Sequence, residues 1–115
     1  MPTDIIRQAI HKTELAQFAH NTFVDLVKAV VDINRNIMAL GGELHADEEA
    51  MLLEDGSEQK NLWGINIYPD KSGDDWIEFD SMINLRPSQG NRSRSVDDEA
   101  TRSKIIEIVH QLIKE

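Results

Sequence analysis

The sequence has no cysteine. That excludes disulfides and thiolate metal centres, and it suits a reducing compartment. Aromatic residues are few: two Trp, one Tyr and three Phe. No run approaches the roughly 18 apolar residues of a membrane span. The opening MPTDIIRQAIHK also lacks the apolar core of a signal peptide. A soluble, cytoplasmic protein is the expectation. Positive charge is short as well, with 12 Lys and Arg against 21 Asp and Glu and a net charge of −9. Such a field repels nucleic acid and anionic lipid, so neither nucleic acid nor a membrane is an expected partner. Three motifs are missing too: the phosphate loop G-x-x-x-x-G-K-[ST], the dinucleotide fingerprint G-x-G-x-x-G and the nucleophile elbow G-x-S-x-G.

What is present is one domain's worth of alternating patterns. A chain of 115 residues fits a single domain, here 1–115, and buries roughly 65% of its unfolded surface without staples. IIRQAI (Ile5–Ile10) reads as an edge strand or a helix entry. Thr13 is placed to cap a helix, after which Leu15, Phe18, Ala19, Thr22 and Phe23 form one helical stripe. In VKAVVDINRNIMALGGE the period changes. Val27, Ala29, Val31 and Ile33 alternate as in a strand, Asn34-Arg35-Asn36 is turn chemistry, and IMAL is a second strand. HADEEAMLLEDGS predicts a short helix with acids in its first turn and Gly56 at its end, Ala46, Ala50 and Leu53 sharing a face. LWGINIY and WIEFDSMINL predict a second pair of strands. Along the latter, Ile77, Phe79, Ser81, Ile83 and Leu85 point one way, and Trp76, Glu78, Asp80, Met82 and Asn84 the other. A last helix, capped by Asp97 or Ser95, carries the stripe Ile105, Ile108, Val109, Leu112 and Ile113. The order helix, hairpin, helix, hairpin, helix predicts an α+β two-layer sandwich. Its antiparallel sheet has four to five strands, with helices packed on one face.

The strongest chemical feature is NLRPSQGNRSRSVDDE, Asn84–Glu99. Arg86, Arg92 and Arg94 fall within nine residues uninterrupted by acid. Arginine presents five donors in a planar fork that matches phosphate or carboxylate. Asn91 adds a neutral donor, Gly90 lets backbone approach closely, and a helix start follows. Arg86, Asn91, Arg92 and Arg94 are therefore the candidate ligand-binding residues, for a small anionic molecule. A competing reading sets the arginines against Glu78, Asp80, Asp97, Asp98 and Glu99 as an internal clamp, with Pro87 a stiff turn that stops the strand.

Weaker candidates concern catalysis. His45 titrates near neutrality and can act as acid, base or ligand. Glu43, His45 and Asp47 have metal-compatible chemistry, but no H-x-x-x-H or H-E-x-x-H spacing supports them. The expectation is no metal and no cofactor. Glu78 and Asp80, at i and i+2 of a strand, project together as an acid/base pair, and Asn66 and Tyr68 share that wall if register allows. A wet sheet face explains the same two acids. His45, Glu78 and Asp80 remain the catalytic candidates.

The stretches VKAVVD, GGELHADEEAMLLEDGS, NLWGINIYP and IEFDSMINLRPSQGNRSRSV resemble, in combination, a family of short bacterial and archaeal proteins known only as a domain of unknown function. The resemblance runs from Val27 to the C-terminus and implies one intact domain. It carries no activity and no site residue. Three functions stay open: an anion-binding module built on the arginine loop, a small enzyme acting on an anionic substrate through His45, Glu78 and Asp80, and an interaction protein that forms a homodimer through a Trp76/Met82 face.

Overall fold

Three valines within Val27–Asp32 favour extended backbone, and this segment becomes the middle of the sheet in a computed structural model that describes residues 3–115. In chain order the elements are β1 Asp4–Ile6, β2 Ile10–His11, α1 Lys12–His20, β3 Val27–Asp32, β4 Ile37–Leu40, α2 His45–Glu54, β5 Leu62–Ile67, β6 Ile77–Glu78, α3 Glu99–Leu112 and β7 Ile113–Lys114. The main sheet runs β1-β4-β3-β5-β6, and every neighbouring pair in it is antiparallel. The β3–β4 turn forms as its sequence predicts. Asp32 Oδ1 accepts the N–H groups of Asn34 (2.8 Å) and Arg35 (3.0 Å), and Asn36 takes a positive φ of 58°.

The predicted α+β class and antiparallel sheet of four to five strands are what the structure has, with five strands, but the helices do not all pack on one face as expected. Helices α1 and α3 pack on one face. Leu15, Phe18, Ile105, Ile108 and Val109 meet Val27, Ala29, Val31, Met38, Leu40, Trp63, Ile65 and Ile67 there. Each of these side chains larger than alanine contributes roughly 1.5–3 kcal/mol by leaving water. Helix α2 lies on the opposite face, over Val30, Ile37, Ala39 and Leu62, so the helices are divided between the two faces. The reason is visible in β3 and β4. Both bury residues of both parities, which an alternation count over β3 alone does not register.

Three local expectations are corrected. IIRQAI splits in two: β1 edges the main sheet, while β2 pairs in parallel with β7. Helix α1 starts at Lys12 with His11 as its cap, not Thr13. The long strand expected across Trp76–Leu85 pairs only at Ile77 and Glu78. Beyond Glu78 the chain turns away. The Ser81 N–H goes to the Arg94 carbonyl (3.0 Å), and Met82–Asn84 forms a 3₁₀ turn. The Asn84 side chain then does the work of the missing strand. Its Oδ1 accepts the Gly64 N–H at 2.8 Å and its Nδ2 donates to the Gly64 carbonyl at 2.9 Å, which satisfies the open edge of β5. Trp76 is consequently buried in the core while Met82 is exposed, and the two do not share a face.

Candidate functional site

Register builds the floor of the site. On the α2 side of the sheet, Lys28 of β3 lies opposite Asn66 of β5, and Asn66 lies opposite Glu78 of β6. Three polar side chains thus form one row across three strands. Asn66 is pinned in it: Nδ2 donates to Glu78 Oε1 at 2.8 Å and to the Asp80 carbonyl at 3.3 Å. The Tyr68 hydroxyl donates to the same Glu78 oxygen at 3.1 Å. Of the wall read from the sequence, Glu78, Asn66 and Tyr68 are joined by hydrogen bonds, while Asp80 lies beyond the end of β6.

Beside this row the start of α2 and the departing loop rise as two walls. They enclose a cleft of about 240 Å³, lined by Lys28, His45, Asn66, Asp80, Ser81 and Arg94, with Leu44, Ala46, Met82 and Ile83 at its apolar margin. Gly64 makes the walls possible. A Cβ there would come within 2.6 Å of Ser81 and 3.2 Å of the His45 ring.

Helix α2 reaches the site in an unexpected orientation. The face shared by Ala46, Ala50 and Leu53 is exposed, and His45, Glu48 and Leu52 are buried. His45 Nε2 lies 2.8 Å from the Ile65 carbonyl. A carbonyl can only accept, so the neutral ring carries its proton on Nε2 and its lone pair on Nδ1. Burial holds the imidazole below its ordinary pKa. Lys28 and Arg94 push it the same way, against the Ile65 hydrogen bond and Asp80. His45 is thus a neutral acceptor at physiological pH.

The four arginine-loop candidates are not brought together. Arg86 turns inward: its two terminal nitrogens donate to the carbonyls of Gln59 and Leu62, and its guanidinium stacks 4.1 Å over the Trp63 ring. Asn91 is consumed by the loop itself. Its Nδ2 donates to the carbonyls of Asn84 (2.7 Å), Ser93 (3.1 Å) and Ser95 (2.7 Å), and its Oδ1 accepts the Asp97 N–H (2.8 Å). Arg92 is exposed, and its side chain makes no ion pair among the described residues. Arg94 alone reaches the cleft, where its Nε meets Asp80 Oδ1 at 2.8 Å. Of the acids expected to neutralise the arginines, Asp97 instead binds Ser93 Oγ (2.6 Å) and the Arg92 N–H (3.0 Å). Asp98 caps α3 through Thr101.

Of the catalytic candidates, His45 and Asp80 line the same cleft, and Glu78 stands behind Asn66. Glu43 and Asp47 are exposed, whereas His45 is buried. Among the described residues, no group of three or more His, Cys, Asp or Glu side chains gathers as a metal ion requires. Nor is any described helix long and apolar enough to cross a membrane.

One family model covers this whole arrangement. The chain belongs to the family described as "Protein of unknown function (DUF5674)", whose model matches residues 4–112. No curated protein and no solved structure matches it. Membership in DUF5674 therefore spans both cleft walls and all three floor strands, and assigns no role to any of them.

Lys28 belongs to no sequence motif that marks it as a site residue. Its signal is a lone lysine in VKAVVD, on the strand phase opposite Val27, Ala29 and Val31. Only the pairing with Asn66 shows that this phase faces a cleft and not open water.

Proposed function

We propose that this protein is a binding module for a small molecule with an anionic group, and that the group is held in the α2–β5 cleft by Arg94 and Lys28. The convergence of Lys28, His45, Asn66, Asp80 and Arg94 on one cleft carries this reading. Asp80 engages only the Nε of Arg94, so the two terminal nitrogens keep their fork for a bidentate acceptor. The arginine loop contributes one residue directly and supplies rigidity through the rest.

Thermal unfolding against phosphate and simple carboxylates at low and moderate salt tests it. A ligand at 100 times its dissociation constant stabilises by about 2.7 kcal/mol, on the order of 10 °C for a domain of this size. The shift should disappear in Arg94→Ala and in Lys28→Ala, and persist in Arg92→Ala. Loss of the shift in Arg92→Ala alone would move the site to the exposed loop and overturn the cleft.

A second reading, a small acid–base enzyme, draws on the His45 Nδ1 lone pair beside two cations. Its mark is consumption of the bound ligand by the wild type and none by a His45→Gln variant.

A further inference from the structure

The cleft holds more acceptors than an anion alone can use. Asn66 is only 7% exposed, and its Oδ1 is buried with no hydrogen-bond partner. Its orientation is fixed, because Nδ2 is committed to two acceptors, Glu78 Oε1 and the Asp80 carbonyl. The amide cannot flip without facing its oxygen toward both. An orphaned buried carbonyl costs free energy unless some donor meets it.

That oxygen is closed to solvent, and two more acceptors belong to residues that line the same cleft. With Nε2 held at the Ile65 carbonyl, His45 offers the lone pair of Nδ1. Asp80 gives one oxygen to Arg94 and keeps the second. None of the three can satisfy another, since all of them accept. The charges are balanced as well: Lys28 and Arg94 stand against Asp80 in the cleft and Glu78 directly behind Asn66. A pure anion would meet only half of that pattern.

Building on the cleft reading above, we infer that the natural ligand is a small zwitterion. Its carboxylate sits on Arg94 and Lys28, and its ammonium is directed to Asn66 Oδ1, His45 Nδ1 and Asp80. An ammonium has three N–H donors, which matches three acceptors. A hydroxyl has one, and leaves two of them unmet. The apolar margin of Leu44, Ala46, Met82 and Ile83 is available to the ligand's carbon skeleton.

The test compares ligands of matched length by amide chemical-shift titration of the full chain, at constant ionic strength. The probes are glycine, β-alanine and 4-aminobutyrate, against acetate, propionate, glycolate and ethylammonium. The expected result is that at least one aminocarboxylate binds about tenfold or more tightly than its carboxylate counterpart, the effect of a charge-assisted hydrogen bond. The shifted amides should surround Asn66 and His45. Asn66→Leu should reduce that ligand to the affinity of the plain carboxylate. Because Asn66 is buried, Asp80→Asn serves as a second variant at a half-exposed position of the same size, and should narrow the preference several-fold.

Equal binding of carboxylates and aminocarboxylates would overturn the zwitterion and leave the anion cleft standing. Glycolate binding as tightly as glycine would overturn the ammonium assignment in the same way. Absence of cleft shifts with every probe would overturn both readings.

Discussion

Glu48 makes the sharpest claim at the scale of one residue. It is fully buried on α2, with Oε2 accepting the Gly42 N–H at 2.9 Å and Oε1 without a partner. Burial pushes its carboxyl up to about 9, against the Gly42 hydrogen bond and Lys28, which favour the charged form. The folded protein therefore holds a neutral acid at pH 7, while the unfolded chain ionises near 4.5. The residue's contribution to stability is complete below pH 4.5 and declines as pH rises toward 9, on the order of 1 kcal/mol per pH unit. Glu48→Gln keeps an oxygen for Gly42 and cannot ionise, so urea midpoints measured from pH 5 to 8 should fall more gently than in wild type. Parallel curves would show that Glu48 does not control the slope. Arg86 gives a second contrast. Removing its fork strands two carbonyls and uncovers Trp63, so Arg86→Ala should cost about 3 kcal/mol. Arg86→Lys should recover only part of it, since an ammonium lacks the fork. Arg92→Ala, three positions past the same turn's Gln89, should stay within about 0.5 kcal/mol.

Between elements, the sensitive contact is the backbone of β5 against the turn that replaces a long β6. Gly64 has Ser81 and His45 packed where a side chain would begin, and Asn84 bonds both of its backbone polar groups. Gly64→Ala forces that turn outward and should destabilise by about 1–3 kcal/mol. It should also shift the His45 ring resonances, because the same Cβ meets the ring. Unchanged His45 signals would separate the turn from the cleft wall. The elements legible in the sequence were β3 and the IMAL strand, whose apolar runs favour extended backbone, and α3, whose burial follows one helical stripe. Helix α2 was legible as a helix but not in its facing. It buries a histidine and a glutamate and exposes its alanines, the reverse of what apolarity alone dictates. WIEFDSMINL alternates well enough to be a strand. What stops it is an asparagine side chain imitating one, a tertiary effect that no local pattern encodes.

For the molecule as a whole, neighbours in sequence and neighbours in space diverge most at the arginines. Arg86, Arg92 and Arg94 lie within nine residues, yet one is in the core, one is in solvent and one is in the cleft. The partners that give Arg94 a context come from β3 and β5, and only strand register could supply them. The same global view yields a stability profile. Three acids defend the fold at low pH. The Arg7 and Arg35 guanidinium groups hold Asp55 below the usual carboxylate range, the Ser93 hydroxyl and the Arg92 N–H do so for Asp97, and Thr101 does so for Asp98. Their contribution is present above their unfolded values near 3.8 and is lost as pH falls through the lower folded values. At the other end Glu48 erodes stability upward from about 4.5, and a net charge of −9 adds self-repulsion at pH 7. The buried neutral His45 opposes the Glu48 erosion below its ordinary value of 6.5, so the maximum falls on the acid side of neutrality, in a window from about 4.5 to 6.5. That window also brackets the isoelectric point of 4.8, where repulsion vanishes. Thermal scans at micromolar concentration should thus peak below about pH 6.5. About 0.3 M NaCl should raise the melting temperature at pH 8 and change it little at pH 5, because salt screens only the repulsion that remains. A maximum at or above pH 7, insensitive to salt, would mean that neither Glu48 nor the net charge governs the fold.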